Sequence, residues 1–323
     1  MRRTALTNVF LGCAICGLAA CGGGGGGGSG FNSTPPPPST KTCPDGSVIP
    51  ADQVCPPSPP QPTYPIIFPS ITQSTDFAVL GIQADTAPTT ISALTTAGFA
   101  VSFDAATGAY IIDLPSAEPG KFIAQSVSNR TWDGYIDGGT YASFYIASVF
   151  KPSPTNPDIQ LSHTSFAQFF NYDYDDNAPI GFVAFGTATP AGSIPTTGSA
   201  TMDAIVAGLT LDGTGAVGGA ATLQFDFGAG TLAGLFDPVL TLYNSAGLIP
   251  LGSYTFVNTV FGIGSTTFSG NFSHANPLLT GAFNGLFTGP NAQELMARWT
   301  ADYVNPATQQ QGEMFGVWVG KGP

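Results

Sequence analysis

Charge is what this chain has least of. Only 9% of its 323 residues are Asp, Glu, Lys or Arg, with 8 basic side chains against 20 acidic ones and a net charge of −12. So few cations cannot neutralise a phosphate backbone, and the negative field repels nucleic acid and anionic lipid surfaces. If the field steers anything it is a basic partner; the alternative is that acidity only keeps a Gly-rich, charge-poor β protein soluble. Histidine is scarcer still. His163 and His274 are the whole supply, and neither lies in a motif with a serine elbow or a second metal ligand. Gly213, Gly215 and Gly218 match a dinucleotide fingerprint in spacing, but a strand pattern follows where that site needs a helix N-terminus. Asp173, Asp175 and Asn177 begin like a calcium loop, yet Ala178 stands where the loop needs glycine and Ala184 where it needs a bidentate glutamate. No catalytic residue, metal site or cofactor is expected, and the chain does not read as an enzyme.

A span-length apolar run is also missing. The apolar stretch of about residues 5–17 is too short to cross a bilayer as a helix. Arg2 and Arg3 stand before it, and Leu18, Ala19, Ala20 and Cys21 close it. A positive start, a short apolar run and small residues before a cysteine read as a secretory signal, and this order resembles that of bacterial lipoproteins. In the resembling proteins cleavage precedes a cysteine that already carries diacylglycerol. Residues 1–20 are therefore read as a lipoprotein signal peptide and Cys21 as the lipidated first residue of the mature chain. Its diacylglycerol and palmitate-type chains contribute about 0.8 kcal/mol per buried methylene, and more than one chain makes the anchor stable. Gly22 occupies the place where aspartate would favour inner-membrane retention, so the resemblance implies the outer membrane. Loss of residues 1–20, which hold Arg2, Arg3 and no acid, takes the net charge to −14.

Cysteine runs out quickly. Cys13 and Cys16 leave with the signal, Cys21 takes the lipid, and Cys43 and Cys55 are the two free thiols left in an oxidising compartment, where they are expected to pair. A loop of that size is worth about 3 kcal/mol of denatured-state entropy in the chain-entropy model. Zinc is a poor alternative with two thiols and no histidine nearby. The surrounding residues 21–66 contain seven consecutive glycines from Gly22 and four consecutive prolines from Pro35. Such a stretch cannot bury a core and reads as a lipidated, flexible Gly/Pro tether with polyproline spacers.

Past residue 66, period two dominates. Ala221, Leu223, Phe225 and Phe227 alternate with Thr222, Gln224 and Asp226, and Met202, Ala204 and Val206 alternate with Thr201, Asp203 and Ile205. Similar runs recur near 181–188, 231–243, 251–261, 265–273, 280–287, 294–303 and 312–320, separated by turn residues. Evenly spaced strands of this kind predict an all-β sandwich or barrel. An internal echo favours the barrel: Phe268, Gly270 and Phe272 return as Phe283, Gly285 and Phe287, glycine leaving room for a ring from across the interior. Residues 70–178 are less regular. A hairpin is expected over 99–112, further strands over 121–137 and 141–149, a short helix over 89–97, and a helical turn at 289–294. These features divide the chain into a handle domain at 67–178 and a barrel domain at 179–323.

Residues 186–189 and 195–201, the stretch 221–234 containing Asp226, Phe227, Gly228, Ala229 and Gly230, the stretch 281–294, and the closing Gly316, Trp318, Val319, Gly320 and Lys321 resemble the transferrin-binding protein B type β-barrel domain. The resemblance covers about residues 161–323. It implies a lipid-anchored, surface-exposed protein built from a smaller, mostly-β handle and a C-terminal eight-stranded antiparallel barrel. It also implies a protein, haem or small-solute ligand, a role in iron or haem acquisition, and as partners a TonB-dependent receptor and a surface-lipoprotein translocator. A structural or adhesive surface lipoprotein without a small ligand is the alternative. Ligand choice on such scaffolds lives in loops, and residues 169–177 are the densest aromatic and acidic cluster of the chain. Tyr172, Asp173, Tyr174, Asp175 and Asp176 are thus the candidate ligand-binding residues: tyrosines offer rigid contact area and carboxylates meet a basic partner. The same segment also reads as a handle strand with core phenylalanines ending in a solvated acidic turn.

Overall fold

Alternation along the strands decides the architecture. In the computed structural model, Ala221, Leu223 and Phe225 are buried while Thr222, Gln224 and Asp226 face outward, so each strand supplies one wall of an enclosed core. The structure describes residues 40–42, 48–54, 73–86, 94–115, 120–128, 132–137, 143–150, 156, 158–173, 178–243 and 247–322. Two units divide the chain, Met1–Gln61 and Pro62–Pro323. The first contributes a short hairpin of β1 (Thr40–Thr42) and β2 (Val48–Pro50), with Thr40 opposite Pro50. This hairpin falls within the stretch read as tether, where no alternation announces it. Cys21, Cys43 and Cys55 lie outside the described residues, and so do the lipid anchor and the disulfide.

The second unit holds two antiparallel sheets. The first contains β3 (Thr75–Asp76), β4 (Ala78–Thr86), β5 (Ala100–Asp104), β6 (Ala109–Asp113), β7 (Gly120–Ser128), β8 (Trp132–Asp137), β9 (Ser143–Phe150), β10 (Thr164–Asp173) and β11 (Ala178–Gly186). Their order is β3-β5-β6-β7-β8-β9-β10-β11-β4. Only Phe77 separates β3 from β4, and its N–H donates to the carbonyl of Val101 at 3.0 Å. One stretch of chain therefore makes both edges of the sheet. The expected 99–112 hairpin is β5 and β6. The helix expected over 89–97 is not what the described part of that segment forms: Thr95 makes an antiparallel bridge to Gln83.

The second sheet contains β12 (Ser199–Thr210), β13 (Gly215–Asp226), β14 (Thr231–Leu242), β15 (Ile249–Pro250), β16 (Tyr254–Val260), β17 (Thr267–His274), β18 (Thr280–Thr288), β19 (Glu294–Val304) and β20 (Gln311–Lys321). Since β12 pairs with both β13 and β20, and β14 with both β13 and β16, eight strands close into an antiparallel barrel, with β15 a short addition on β14. The three glycines of the fingerprint spacing fall in the β12–β13 hairpin and the start of β13. Proline inside β14 is tolerated at Pro238. Its carbonyl accepts from Leu251 at 3.0 Å, on the side where β15 has ended and β16 has not begun, so its missing N–H meets no ladder partner. The helical turn expected at 289–294 is a single 3₁₀ turn, Pro290–Ala292, with Asn291 at φ 55°.

Eight strands enclose a lumen just wide enough for side chains to fill, and aromatic rings fill it. Phe256 lies 4.5 Å from Phe283 and stacks on Trp318 at 5.8 Å, while Phe236 lies 4.8 Å from Trp299, measured between ring centroids. The glycine echo works differently from the expectation. Phe268 stands opposite Gly285 and Phe283 opposite Gly270 across the β17–β18 pair, so each ring lies over the glycine of the neighbouring strand rather than reaching from across the interior.

A second apolar cluster joins the two sheets. Ile82, Phe166 and Phe182 of the first sheet pack with Leu209, Met296, Phe315, Val317 and Val319 on the outside of the barrel, all buried, and Phe182 meets Phe315 at 6.4 Å. Strands β10 and β11 are apolar on both faces, because Phe169, Val183 and Phe185 turn the other way into the core of the first sheet. The first sheet therefore continues past residues 178–179. Ala178–Gly186 is β11, bonded to β10 and β4, and the barrel starts at Ser199.

Candidate functional site

Of the five candidate ligand-binding residues, Tyr172 and Asp173 end β10, opposite Phe144 and Ser143 of β9. Tyr174, Asp175 and Asp176 lie outside the described residues. Further back on the same strand Phe169 is fully buried and meets the ring of Phe99 at 6.2 Å. The buried part of this segment is therefore the strand up to Phe169, and the candidate residues Tyr172 and Asp173 are placed only by their backbone pairing with β9.

Where the first sheet meets the barrel, the backbone bends through 161–164 and 187–189 beside the start of β19, and buried polar groups hold it. Glu294, 5% exposed, accepts the N–H of Ser162 at 2.6 Å and that of His163 at 2.9 Å. Thr164 and Thr288 share a short hydroxyl contact, and the Thr189 hydroxyl donates to the carbonyl of Gly289 at 2.6 Å. Burial raises the Glu294 carboxyl above its ordinary value, and this outweighs the hydrogen bonds from Ser162, His163 and Thr164 and the ammonium of Lys321, which all lower it. A second tie is Arg298, whose Nε donates to Asn284 at 2.8 Å and whose Nη1 reaches the carbonyls of Thr96 and, at 3.3 Å, Gly81. These bonds join β19 to β4 and to the 94–97 segment, fixing the exterior of one sheet against the other.

The sign of the Glu294 shift sets a pH dependence. A carboxyl with a raised folded pKa binds its proton more tightly folded than unfolded. Its stabilising share is complete below the unfolded value, about 4.3, and is lost as pH rises through the raised one. The melting temperature of the wild type, relative to Glu294→Gln, is therefore expected to be higher at pH 4 than at pH 8. A difference that stays constant across that range would show that the carboxyl does not titrate above its unfolded value.

The barrel end away from this junction carries the connections at 211–214, 275–279 and 305–310 and the described residues 243, 247–248 and 251–253 that flank β15. Asp212 anchors it, accepting from the Thr214 hydroxyl at 2.7 Å and the Tyr303 hydroxyl at 3.2 Å; although burial raises its carboxyl, the hydrogen bonds from Thr210, Thr214 and Tyr303 together leave it below the ordinary value. Tyr254 donates to the carbonyl of Asp302 at 2.6 Å, and burial with the nearby Asp302 charge pushes its phenol far above the ordinary range. Asp302 in turn accepts from the backbone and hydroxyl of Thr280. Around this rigid acidic base stand the exposed apolar side chains Tyr243, Leu248 and Leu278. Sequence reading did not find this rim. Its one signal was the Tyr, Leu and acid content of loops otherwise rich in Gly, Asn and Pro.

Both histidines are taken up by the fold. His163 is buried, with its ring beside Gly289 and its backbone N–H on Glu294, and His274 accepts the N–H of Asn276 through Nδ1 at 3.0 Å while its ring lies 4.8 Å from that of Tyr254. Among the described residues no three His, Cys, Asp or Glu side chains converge as a metal-ligand set.

No protein-family model and no curated protein matches the chain. Solved structures do. A variant of the transferrin-binding protein B vaccine antigen from Haemophilus parasuis Hp5 is similar over 76% of this chain and 45% of its own, at 15% identity and a TM-score of 0.41. The isotype 1 transferrin-binding protein B from serogroup B Neisseria meningitidis matches 76% of this chain and 44% of its own, at 14% identity and a TM-score of 0.36. This chain thus spans less than half the length of either. A structure described as a surface lipoprotein is matched over 76% of this chain and 98% of its own, at 11% identity and a TM-score of 0.33. Likeness at this level carries no ligand, partner or location from those proteins to this chain.

Proposed function

We propose that this chain is an outer-membrane-anchored, surface-exposed lipoprotein whose folded head binds a ligand through exterior loops, in the manner of a transferrin-binding protein B type scaffold. The observation that carries the reading is the lumen packed with aromatic rings. A barrel filled in this way is a rigid support, and any ligand is left to the outside. The cleavage signature ending in Cys21 and the Gly/Pro-rich stretch support a head held beyond the lipid surface, and the acidic composition suits a basic partner. Iron or haem acquisition is the role that the sequence resemblance implies. With His163 buried and Nδ1 of His274 taken by the backbone of Asn276, a protein ligand fits the exterior better than haem held by histidine.

The reading is tested on residues 172–176 with a partner captured from growth medium by the full chain. Replacing Asp173, Asp175 and Asp176 by asparagine is expected to slow association and flatten its salt dependence, and replacing Tyr172 and Tyr174 by alanine to speed dissociation. Wild-type kinetics in all five variants would move the site to other loops, with the Tyr243, Leu248 and Leu278 rim next in line. Capture of no partner at all would favour the structural or adhesive alternative.

A further inference from the structure

One joint of the barrel is shorter than the rest. Across β13 and β14 the register runs unbroken from Gly215 opposite Leu242 to Asp226 opposite Thr231, and across β19 and β20 from Glu294 opposite Lys321 to Val304 opposite Gln311. Between β14 and β16 it consists of Leu235 opposite Thr255 and Phe236 opposite Tyr254. The ladder stops where β16 bulges. Its register against β17 shifts between Val257 and Val260, and Asn258 stands at φ 50°, a left-handed conformation that turns the peptide groups out of line. Toward the other end β15 takes over the edge of β14, with Val239 opposite Pro250 and Leu240 opposite Ile249. Past the bulge, side chains tie the joint: the Thr259 hydroxyl donates to the carbonyl of Leu232 at 2.8 Å, and the ring of Phe256 lies over Gly234, where a Cβ would come within 2.7 Å of it. The lumen is also least enclosed along this line. Phe256 and Phe261, each 7% exposed, are the most accessible of the buried rings that fill it, and Leu235 of β14, Val260 of β16 and the following Ile263 are exposed.

We propose that the β14–β16 joint is a lateral seam, along which the barrel opens locally while its other joints stay paired. Closed, the barrel is the rigid support described above. The Leu232 and Pro238 carbonyls both point from β14 toward this side, so by alternation the N–H and C=O of Phe236 do too, and Phe236 and Tyr254 exchange the backbone bonds of the joint. Opening the seam gives up this short ladder, the Thr259 bond and the cover of one ring, whereas parting β13 from β14 or β19 from β20 gives up a full ladder. Local opening follows the region with the fewest such ties. Once parted, β14 and β16 present two strand edges rich in β-branched and aromatic side chains, the kind of edge that a further strand can extend. The seam concerns how the support opens and not what the exterior binds, so its failure leaves the surface-binding reading untouched.

Hydrogen exchange of the full chain in detergent micelles, read at single residues, tests this. The amides of Phe236 and Tyr254 are expected to exchange at least about tenfold faster than those of Trp299 and Gly316, which have ladders on both sides. Their rates should change little with denaturant well below the unfolding transition, as befits an opening that exposes little surface. Thr259→Val keeps the shape of the side chain, removes the hydroxyl, and should speed these two amides about fivefold, the worth of one ordinary hydrogen bond, with no change at Trp299 and Gly316. A second variant staples the seam. Leu235→Cys combined with Thr255→Cys places two thiols at exposed positions directly opposite each other, and their disulfide should slow the same two amides, an effect that reduction reverses. The proposal is overturned if Phe236 and Tyr254 exchange no faster than Trp299 and Gly316, if all four share the denaturant dependence of global unfolding, or if neither Thr259→Val nor the disulfide alters the two seam amides.

Discussion

Alanine at Gly285 is expected to destabilise the barrel by about 1–3 kcal/mol, as overpacking of a filled core does. Alanine at Phe268 is expected to cost about 3–5 kcal/mol by leaving a cavity. A Cβ on Gly285 would sit 2.3 Å from Cζ of Phe268 and 2.7 Å from the carbonyl oxygen of Met296. The ring cannot swing away, because it is also held by Phe225 at 5.2 Å and Phe287 at 5.3 Å. The double variant should therefore lose less than the sum of the singles, since truncating the ring removes the clash that the new methyl creates. Denaturant unfolding of the four proteins in the cycle measures this. Additivity to within about 0.5 kcal/mol would mean that ring and glycine are not coupled, and that the paired Phe/Gly positions of β17 and β18 do not set the packing of the lumen.

The second large effect is on location. Under the proposed anchor, Cys21→Ala removes the thiol that would carry the lipid, so the precursor is expected to stay unlipidated and the chain to leave the outer-membrane fraction. An acyl chain of sixteen carbons at about 0.8 kcal/mol per buried methylene contributes on the order of 10 kcal/mol, and the acidic, charge-poor chain offers no polybasic patch to replace it. Loss from the membrane should thus be nearly complete, while the head stays folded. Unchanged fractionation would show that something other than Cys21 holds the protein to the membrane.

Barrel strands were legible wherever one face meets water. In β13 the outward Thr222, Gln224 and Asp226 mark the alternation, and its bounds follow from the turns at Gly213 and Gly228. Where both faces are buried, the pattern loses its sign. Met314 through Gly320 of β20 are all buried, so the sequence cannot tell that Trp318 points into the lumen while Phe315, Val317 and Val319 pack against the first sheet. The same holds for β11: Phe182 and Ala184 face the barrel, Val183 and Phe185 face the first core, and nothing in an apolar run says which sheet a strand joins. Glu294 was invisible as a junction residue because its partners, Ser162 and His163, lie 132 and 131 positions away. The tyrosine and acid cluster at 172–176 was legible as composition, but its place at the end of a core strand depends on the pairing of β10 with β9.

The central claim is that a lipid-anchored head faces the outside of the cell, and antibody labelling of intact cells tests it most directly. Antibodies against the barrel are expected to label intact cells that carry the wild-type chain and to give background signal with the Cys21→Ala variant. Labelling of the wild type only after the outer membrane is permeabilised would contradict the account, because a head confined to the periplasm cannot meet an external ligand with its loops.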